Sequence, residues 1–385
     1  MSLFTEMTRT DPSPASYGES HFDFLDRVAG QYWEAIRVVV EKWYSRFPVE
    51  HQPRIRSRLR GRQPDYWGAY WELLLHSTML GLGLEVTVDP VVAAGRTPDF
   101  LVAQGDDECL IEATVILEPG SDQTSDSRQA PVLNMLSSLE LRYHYLHVVD
   151  LIDGPKTPPL AKLRDGFQGW IDGVEKNPPE SDAASKVLRP RRAAHLSDWV
   201  IEVELIPRSP SRYRLKAGID MGPSRSRFVN DHSDISKAMS KKAKRYRSAA
   251  APLVLAVLNL RWTADAETWP LALFGVAWEH PEMIQRQRID PSWRKVPTGF
   301  WLDQTGPRHE KIPAVIAADH LGPWNLAKVS PVVWENPWGG GLPLDFGFSR
   351  RTGDLSSGLL VSDEDGRLLR DVIGIPEHWP PGDPF

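Results

Sequence analysis

The chain has 385 residues, 41% of them hydrophobic and 25% charged, with a formal net charge of −6. That balance fits one elaborated globular domain or two, and excludes both general disorder and a protein that coats nucleic acid through bulk positive charge; a local basic groove stays open. The single cysteine, Cys109, excludes an intrachain disulfide and zinc-finger spacing, and predicts a reduced, cytoplasmic setting.

Residues 1–20 read as a flexible leader without the apolar core of a secretory signal. No apolar run approaches the roughly 20 residues that span a bilayer, so no membrane partner is expected. An N-terminal helical segment, 21–62, follows. Phe22, Leu25, Val28, Trp33, Ile36, Val39 and Trp43 recur at helical spacing and predict one helix over 22–48, ended by Pro48. Arg54, Arg56, Arg58, Arg60 and Arg62 then alternate with other residues. They read either as a solvated basic turn or as a nucleic-acid-binding edge that contacts phosphates. A second helix is predicted over 65–82, with Trp67, Trp71, Leu74 and Leu75 on its buried face.

Three strands are predicted next, at 85–88, 99–103 and 109–117, the last two closed into a hairpin by Gln104-Gly105-Asp106-Asp107. A polar loop at 119–130 precedes a helix at 132–141, a strand at 143–151 and a helix at 160–174. A charged linker at 175–194 leads to strands at 199–206 and 213–219. A basic helix at 234–248 buries Ile235, Met239, Ala243 and Tyr246, and the apolar strand 252–258 reads as buried on both faces. Beyond it the chain is rich in Trp and Pro. Strands are expected there at 271–278 and 314–318, a helix at 366–372, and the tryptophans as core rather than stacking platforms. The order is α/β with a mixed central sheet flanked by helices. The domain reading is a core over 63–262, an insert at about 119–230, and a C-terminal extension over 263–385 packed on the core.

Walker A, dinucleotide-binding, HExxH and G-x-S-x-G patterns are absent from the sequence. What remains is a carboxylate, Glu112, inside an apolar strand, where it is costly unless paired or bound to a cation. If Ala103 faces Glu108 across the hairpin, Asp99 falls opposite Glu112 on the same face. Two adjacent carboxylates suit a hard divalent ion, Mg²⁺ or Mn²⁺, able to activate water and neutralise a phosphate; the plain alternative is an exposed acidic pair at a hairpin end. Glu72, on the second helix, is placed either to assist that site or to pair with His76 at the helix surface. Lys242 lies beside the apolar face of the basic helix, either turned inward to stabilise a phosphate or snorkelling outward; Lys237, Lys241 and Lys244 point elsewhere.

These residues resemble the PD-(D/E)XK, restriction-endonuclease-like superfamily. The resemblance rests on Trp71-Glu72-Leu73, on Arg96-Thr97-Pro98-Asp99-Phe100 and on Ile111-Glu112-Ala113-Thr114. It extends, through a bacterial group within the superfamily, to Lys242-Ala243-Lys244-Arg245-Tyr246, the strand from Pro252 to Val257, and Glu335-Asn336-Pro337. It implies a restriction-endonuclease-like core and a Mg²⁺- or Mn²⁺-dependent nuclease cutting phosphodiester bonds, in DNA. Asp99 and Glu112 would be the metal ligands and Glu72, Asp99, Glu112 and Lys242 the catalytic set. Thr114 departs from the motif, which carries lysine there, so either Lys242 replaces it or catalysis is lost. The alternative is an inactive module that binds nucleic acid, a protein partner or a second copy of itself.

Overall fold

The computed structural model describes residues 2–92, 95–118, 123–176, 189–196, 198–207, 215–216, 219–221, 231–246, 249–275, 298–303, 305–354 and 360–385. Its elements, in chain order, begin with helices α1 (His21–Arg27), α2 (Gln31–Arg46), α3 (Gln52–Leu59) and α4 (Gln63–Gly81). Strands β1 (Glu85–Val88), β2 (Phe100–Gln104) and β3 (Asp107–Ile116) follow. Next come α5 (Gln123–Ser137), β4 (Glu140–Leu141), β5 (His144–Ile152), α6 (Leu160–Glu175), β6 (Arg191–Leu196), β7 (Trp199–Pro207), β8 (Leu215–Lys216) and β9 (Ile219–Met221). The chain continues with α7 (Asp231–Arg245), β10 (Leu253–Asn259), α8 (Thr268–Phe274), β11 (Leu302–Asp303), β12 (Gly306–Pro307) and β13 (Ala314–Asp319). It ends with β14 (Val332–Glu335), β15 (Ser349–Asp354), β16 (Leu360–Glu364) and a last helix, α9 (Leu369–Ile373).

Two compact units result. The first comprises Met1–Pro14, Ser20–Glu118 and Val229–Phe385; the second comprises Ala15–Glu19 and Pro119–Phe228. The first is built on an eight-stranded mixed sheet ordered β1-β2-β3-β10-β13-β14-β15-β16. The hairpin β2–β3 is antiparallel, and β3, β10 and β13 run parallel. Strand alternation gives each face its own core. Cys109, Ile111, Val254, Ala256 and Leu258 pack with Trp71 and Leu74 of α4, while Leu110, Leu255 and Val257 pack with Ile235 and Met239 of α7 and Phe274 of α8. β10 is buried along its whole length, as its unbroken apolar run predicts. Trp71 fixes α4 to the sheet by donating its indole N–H to the Ala256 carbonyl at 3.0 Å.

The second unit packs α5 and α6 on the four-stranded sheet β6-β7-β5-β9 around Leu136, Leu146, Phe167, Ile171 and Val203. Among the described residues no helix is long and apolar enough to cross a membrane.

Several expectations need correction. Residues 2–20 are not a free leader. Leu3 is fully buried, Phe4 stacks on Phe22 at 5.4 Å, and the Leu3 and Phe4 N–H groups donate to the Glu41 carboxylate; two apolar residues in a polar stretch suffice to anchor it. The helix expected over 22–48 is two, because Gly30 adopts φ +114°, which interrupts helical geometry. Of the arginine run, Arg54, Arg56 and Arg58 lie on the helix α3, Arg60 is its C-cap, and Arg62 sits in the turn before α4. The loop expected at 119–130 is helical from Gln123, and the linker expected at 175–194 includes β6 from Arg191, with 177–188 outside the described residues. Of the strand expected at 213–219, the described residues form two short strands in separate sheets. The strand expected at 271–278 is α8, which carries Pro270 in its first turn and stops at Gly275 in the left-handed region; 276–278 lie outside the described residues. The C-terminal region is not an appendage, since β13 to β16 complete the central sheet.

Candidate active site

The sequence-predicted acidic residues meet in one cleft of about 400 Å³ in the first unit, lined by Glu72, Asp99, Glu112, Lys242, Tyr246 and both Arg54 and Arg58, among others. Phe100 pairs with Ile111 and Ala103 with Glu108, so the register carried one residue further sets Asp99 opposite Glu112. The Asp99 carbonyl accepts the Asp89 N–H at 3.0 Å, which extends the β1–β2 ladder by one pair. Asp89, Asp99 and Glu112 thus form a single cross-strand row. The Asp99 carboxylate also accepts the Ala113 N–H at 2.7 Å.

Glu112 is 3% exposed and fully engaged. Lys242 Nζ donates to its Oε1 at 2.6 Å and to the Ala113 carbonyl at 3.2 Å. The Tyr246 hydroxyl lies 2.7 Å from its Oε2 and 3.2 Å from the Thr97 carbonyl. Lys242 and Tyr246 are four residues apart on and just past α7, so one helical face delivers both. Burial and the hydrogen bond to Glu112 push the Tyr246 hydroxyl well above its ordinary pKa.

Glu72, 5% exposed on α4, does not pair with His76 at the surface. Arg58 donates to it at 2.5 Å, and Arg54 stands 3.6 Å from its other oxygen and 2.9 Å from Asp89. His76 is buried with its ring 4.9 Å from Phe47. Gly68 makes room for this arrangement, because a Cβ there would lie 2.6 Å from the Arg58 guanidinium. The five arginines therefore part company. Arg54 and Arg58, one turn apart on α3, line the cleft. Arg60 lies over Phe22 at 4.8 Å, and Arg62 stands at the N-cap position of α4 without a side-chain bond to it. Arg56 lines no part of the cleft.

Asp99 forms no salt bridge among the described residues. Burial, then the charges of Glu72 and Glu112, push its carboxyl up to about 8 against the pull of the Ala113 N–H and Lys242. The cations of the site therefore do not offset burial and the neighbouring carboxylates at Asp99, and its carboxyl keeps a proton at neutral pH. Asp99 offers an oxygen to a hard cation directly, whereas Glu112 and the Ala113 carbonyl would do so by exchanging contacts they now make with Lys242 and Tyr246. Among the described residues no three His, Cys, Asp or Glu side chains are grouped as a metal-holding set. A two-carboxylate arrangement is sufficient for Mg²⁺, which keeps several waters.

Reading the sequence missed Asp89 and gave Tyr246 only a packing role. The i, i+4 spacing of Lys242 and Tyr246 was a usable signal for the tyrosine; Asp89 is brought in by the β1–β2 register, which the sequence does not specify. No family model, curated protein or solved structure matches the chain.

Proposed function

We propose that this cleft is the site of a divalent-metal-dependent nuclease with a restriction-endonuclease-like core, acting on phosphodiester bonds of DNA. The observation that carries the reading is Asp99. It is a carboxyl in register with Glu112, raised by burial and then by two neighbouring carboxylates, and facing a cleft otherwise furnished with Lys242, Arg54 and Arg58. A divalent cation held by Asp99 and Glu112 would neutralise charge on a scissile phosphate and lower the pKa of an attacking water. The protein's own part is positional. Tyr246 and Lys242 fix the Glu112 carboxylate, the Ala113 N–H orients Asp99, and Lys242 Nζ stands where a non-bridging phosphate oxygen gains a charge-assisted hydrogen bond. Arg54 and Arg58 hold Glu72 in the cleft. Lys242 takes the place left by Thr114. A reduced, cytoplasmic setting, with Cys109 buried in the core, belongs to the same reading.

A second reading is favoured by one specific contact set. Both Glu112 oxygens are already satisfied by Lys242 and Tyr246, as in a nuclease-like module that has lost its metal and only binds nucleic acid or a protein. Cleavage of single- and double-stranded DNA with Mg²⁺ or Mn²⁺ decides between them. Metal-dependent cutting that disappears in Asp99→Asn and Glu112→Gln is the expected result; a folded protein that cuts no nucleic acid with either ion overturns the catalytic reading.

A further inference from the structure

We infer that the outward stripe of α7, rather than the arginine run of α3, is the track that holds the phosphodiester backbone of a nucleic acid. The inference rests on the nucleic-acid reading of the cleft. Ser233, Lys237, Ser240, Lys241 and Lys244 recur at intervals of three and four, so they share one side of α7. Together with Ser236, Thr298 and Arg308 they line a groove of about 480 Å³. Every one of these lining residues is a hydroxyl or a cation, and none is acidic. That is the chemistry of a surface for anionic oxygens.

The charges differ in how committed they are. Arg54 and Arg58 are tied to Glu72 and Asp89 inside the cleft. Lys241 and Lys244 form no salt bridge among the described residues. Lys237 has only Asp234, 3.7 Å away, and both are exposed; such a pair is worth little and is readily exchanged for a phosphate. In a chain with net charge −6, this is a local cationic stripe against an acidic background. It is also carried by the helix that delivers Lys242 to Glu112. From Lys237 to Lys244 the helix rises about 10 Å, or about three steps of a duplex strand.

The test is binding of fluorescein-labelled 20-residue single- and double-stranded DNA to the full-length protein in EDTA, read by anisotropy across a KCl series. The comparison is Lys237→Gln/Lys241→Gln/Lys244→Gln, in which glutamine preserves helix propensity, with circular dichroism to verify α7-containing folds. The expected result is a slope of log affinity against log salt shallower by about 2 to 3, and a loss of at least about tenfold in affinity at 0.1 M salt. Unchanged affinity and slope, no DNA binding by the parent, or a loss confined to Arg54→Gln/Arg58→Gln overturns the inference. Cleavage is scored separately. If the slope falls but DNA is never cut, the groove stands and the catalytic reading fails; if DNA is cut and the slope is unchanged, the reverse holds.

Discussion

At the scale of single residues, Asp99 controls the electrostatics of the cleft. Its carboxyl is pushed up to about 8 in the folded chain, against an ordinary value of 3.8. The folded state therefore keeps a proton that the unfolded chain releases at lower pH. The stability this confers is fully present below the unfolded value and is lost as pH rises through the folded one. Asp99→Asn stays neutral and still accepts the Ala113 N–H. It is expected to exceed the parent in stability near pH 9 by at least about 1.4 kcal/mol, the worth of one pKa unit. The advantage should vanish near pH 4. Thermal melts at both pH values check this, and equal shifts at both would contradict it. Added Mg²⁺ should raise the parent's midpoint near pH 8, because a bound cation stabilises the folded state by mass action, and should leave Asp99→Asn unmoved. Glu112 was legible as a candidate because a carboxylate in an apolar strand is locally costly, Asp99 through the hairpin register, Lys242 from its place beside an apolar helix face, and Glu72 from its separate stripe on the preceding helix. Their partners were not. Nothing local in α3 marks Arg54 and Arg58 as counter-charges for Glu72, 18 and 14 residues away along the chain.

At the scale of elements, α7 is a three-sided helix. Ile235, Met239 and Ala243 enter the core, Lys242 and the following Tyr246 reach Glu112, and the lysine stripe faces outward. Lys242→Met leaves the buried Glu112 carboxylate with only a phenol and is expected to cost about 3 kcal/mol. The double variant Lys242→Met/Glu112→Gln should recover most of that loss, since the stranded charge is gone. Chemical denaturation of the two singles and the double measures the coupling; strict additivity would mean that the Nζ–Oε1 contact at 2.6 Å carries no energy. Tyr246→Phe, which removes one hydrogen bond to a charged group, should cost about 1.5 to 3 kcal/mol. Elements with a decisive local signal, such as the long apolar helix α4, the unbroken apolar run of β10 and the turn of the β2–β3 hairpin, were readable from the sequence. The failures have local causes. α8 contains Leu271-Ala272-Leu273-Phe274, an apolar run too short to separate strand from buried helix by periodicity. The α1–α2 break depends on Gly30, whose φ of +114° leaves no trace in the apolar spacing on either side.

At the scale of the whole molecule, the parallel pair β3 and β10 is joined by a long crossover that contains α7 and the Pro119–Phe228 part of the second unit. Parallel strands require such a connection, and a long insertion there costs little extra loop entropy. The element order of the sequence led to an insert expected at about 119–230, and Pro119–Phe228 belong to the second unit. It did not reveal that β13 to β16 belong to the same sheet. Pairing between Leu255 and Val315, or between Val332 and Ser349, joins segments far apart along the chain, and no local pattern encodes which strands become neighbours. The second unit has an apolar core of its own, drawn from residues between Val132 and Leu205, and none of these belongs to either core of the first unit. Replacing residues 120–228 by a short Gly/Ser linker is therefore expected to leave the eight-stranded sheet folded, with a cooperative thermal transition and an intact near-ultraviolet signal from buried Trp71, Trp301 and Trp334. The cleft residues all lie outside the deleted segment, so metal-dependent cleavage should survive if it exists in the full chain. A variant that retains secondary structure but loses the near-ultraviolet signal and binds a hydrophobic dye would be a molten state, and would show that the first unit cannot assemble its sheet without the second.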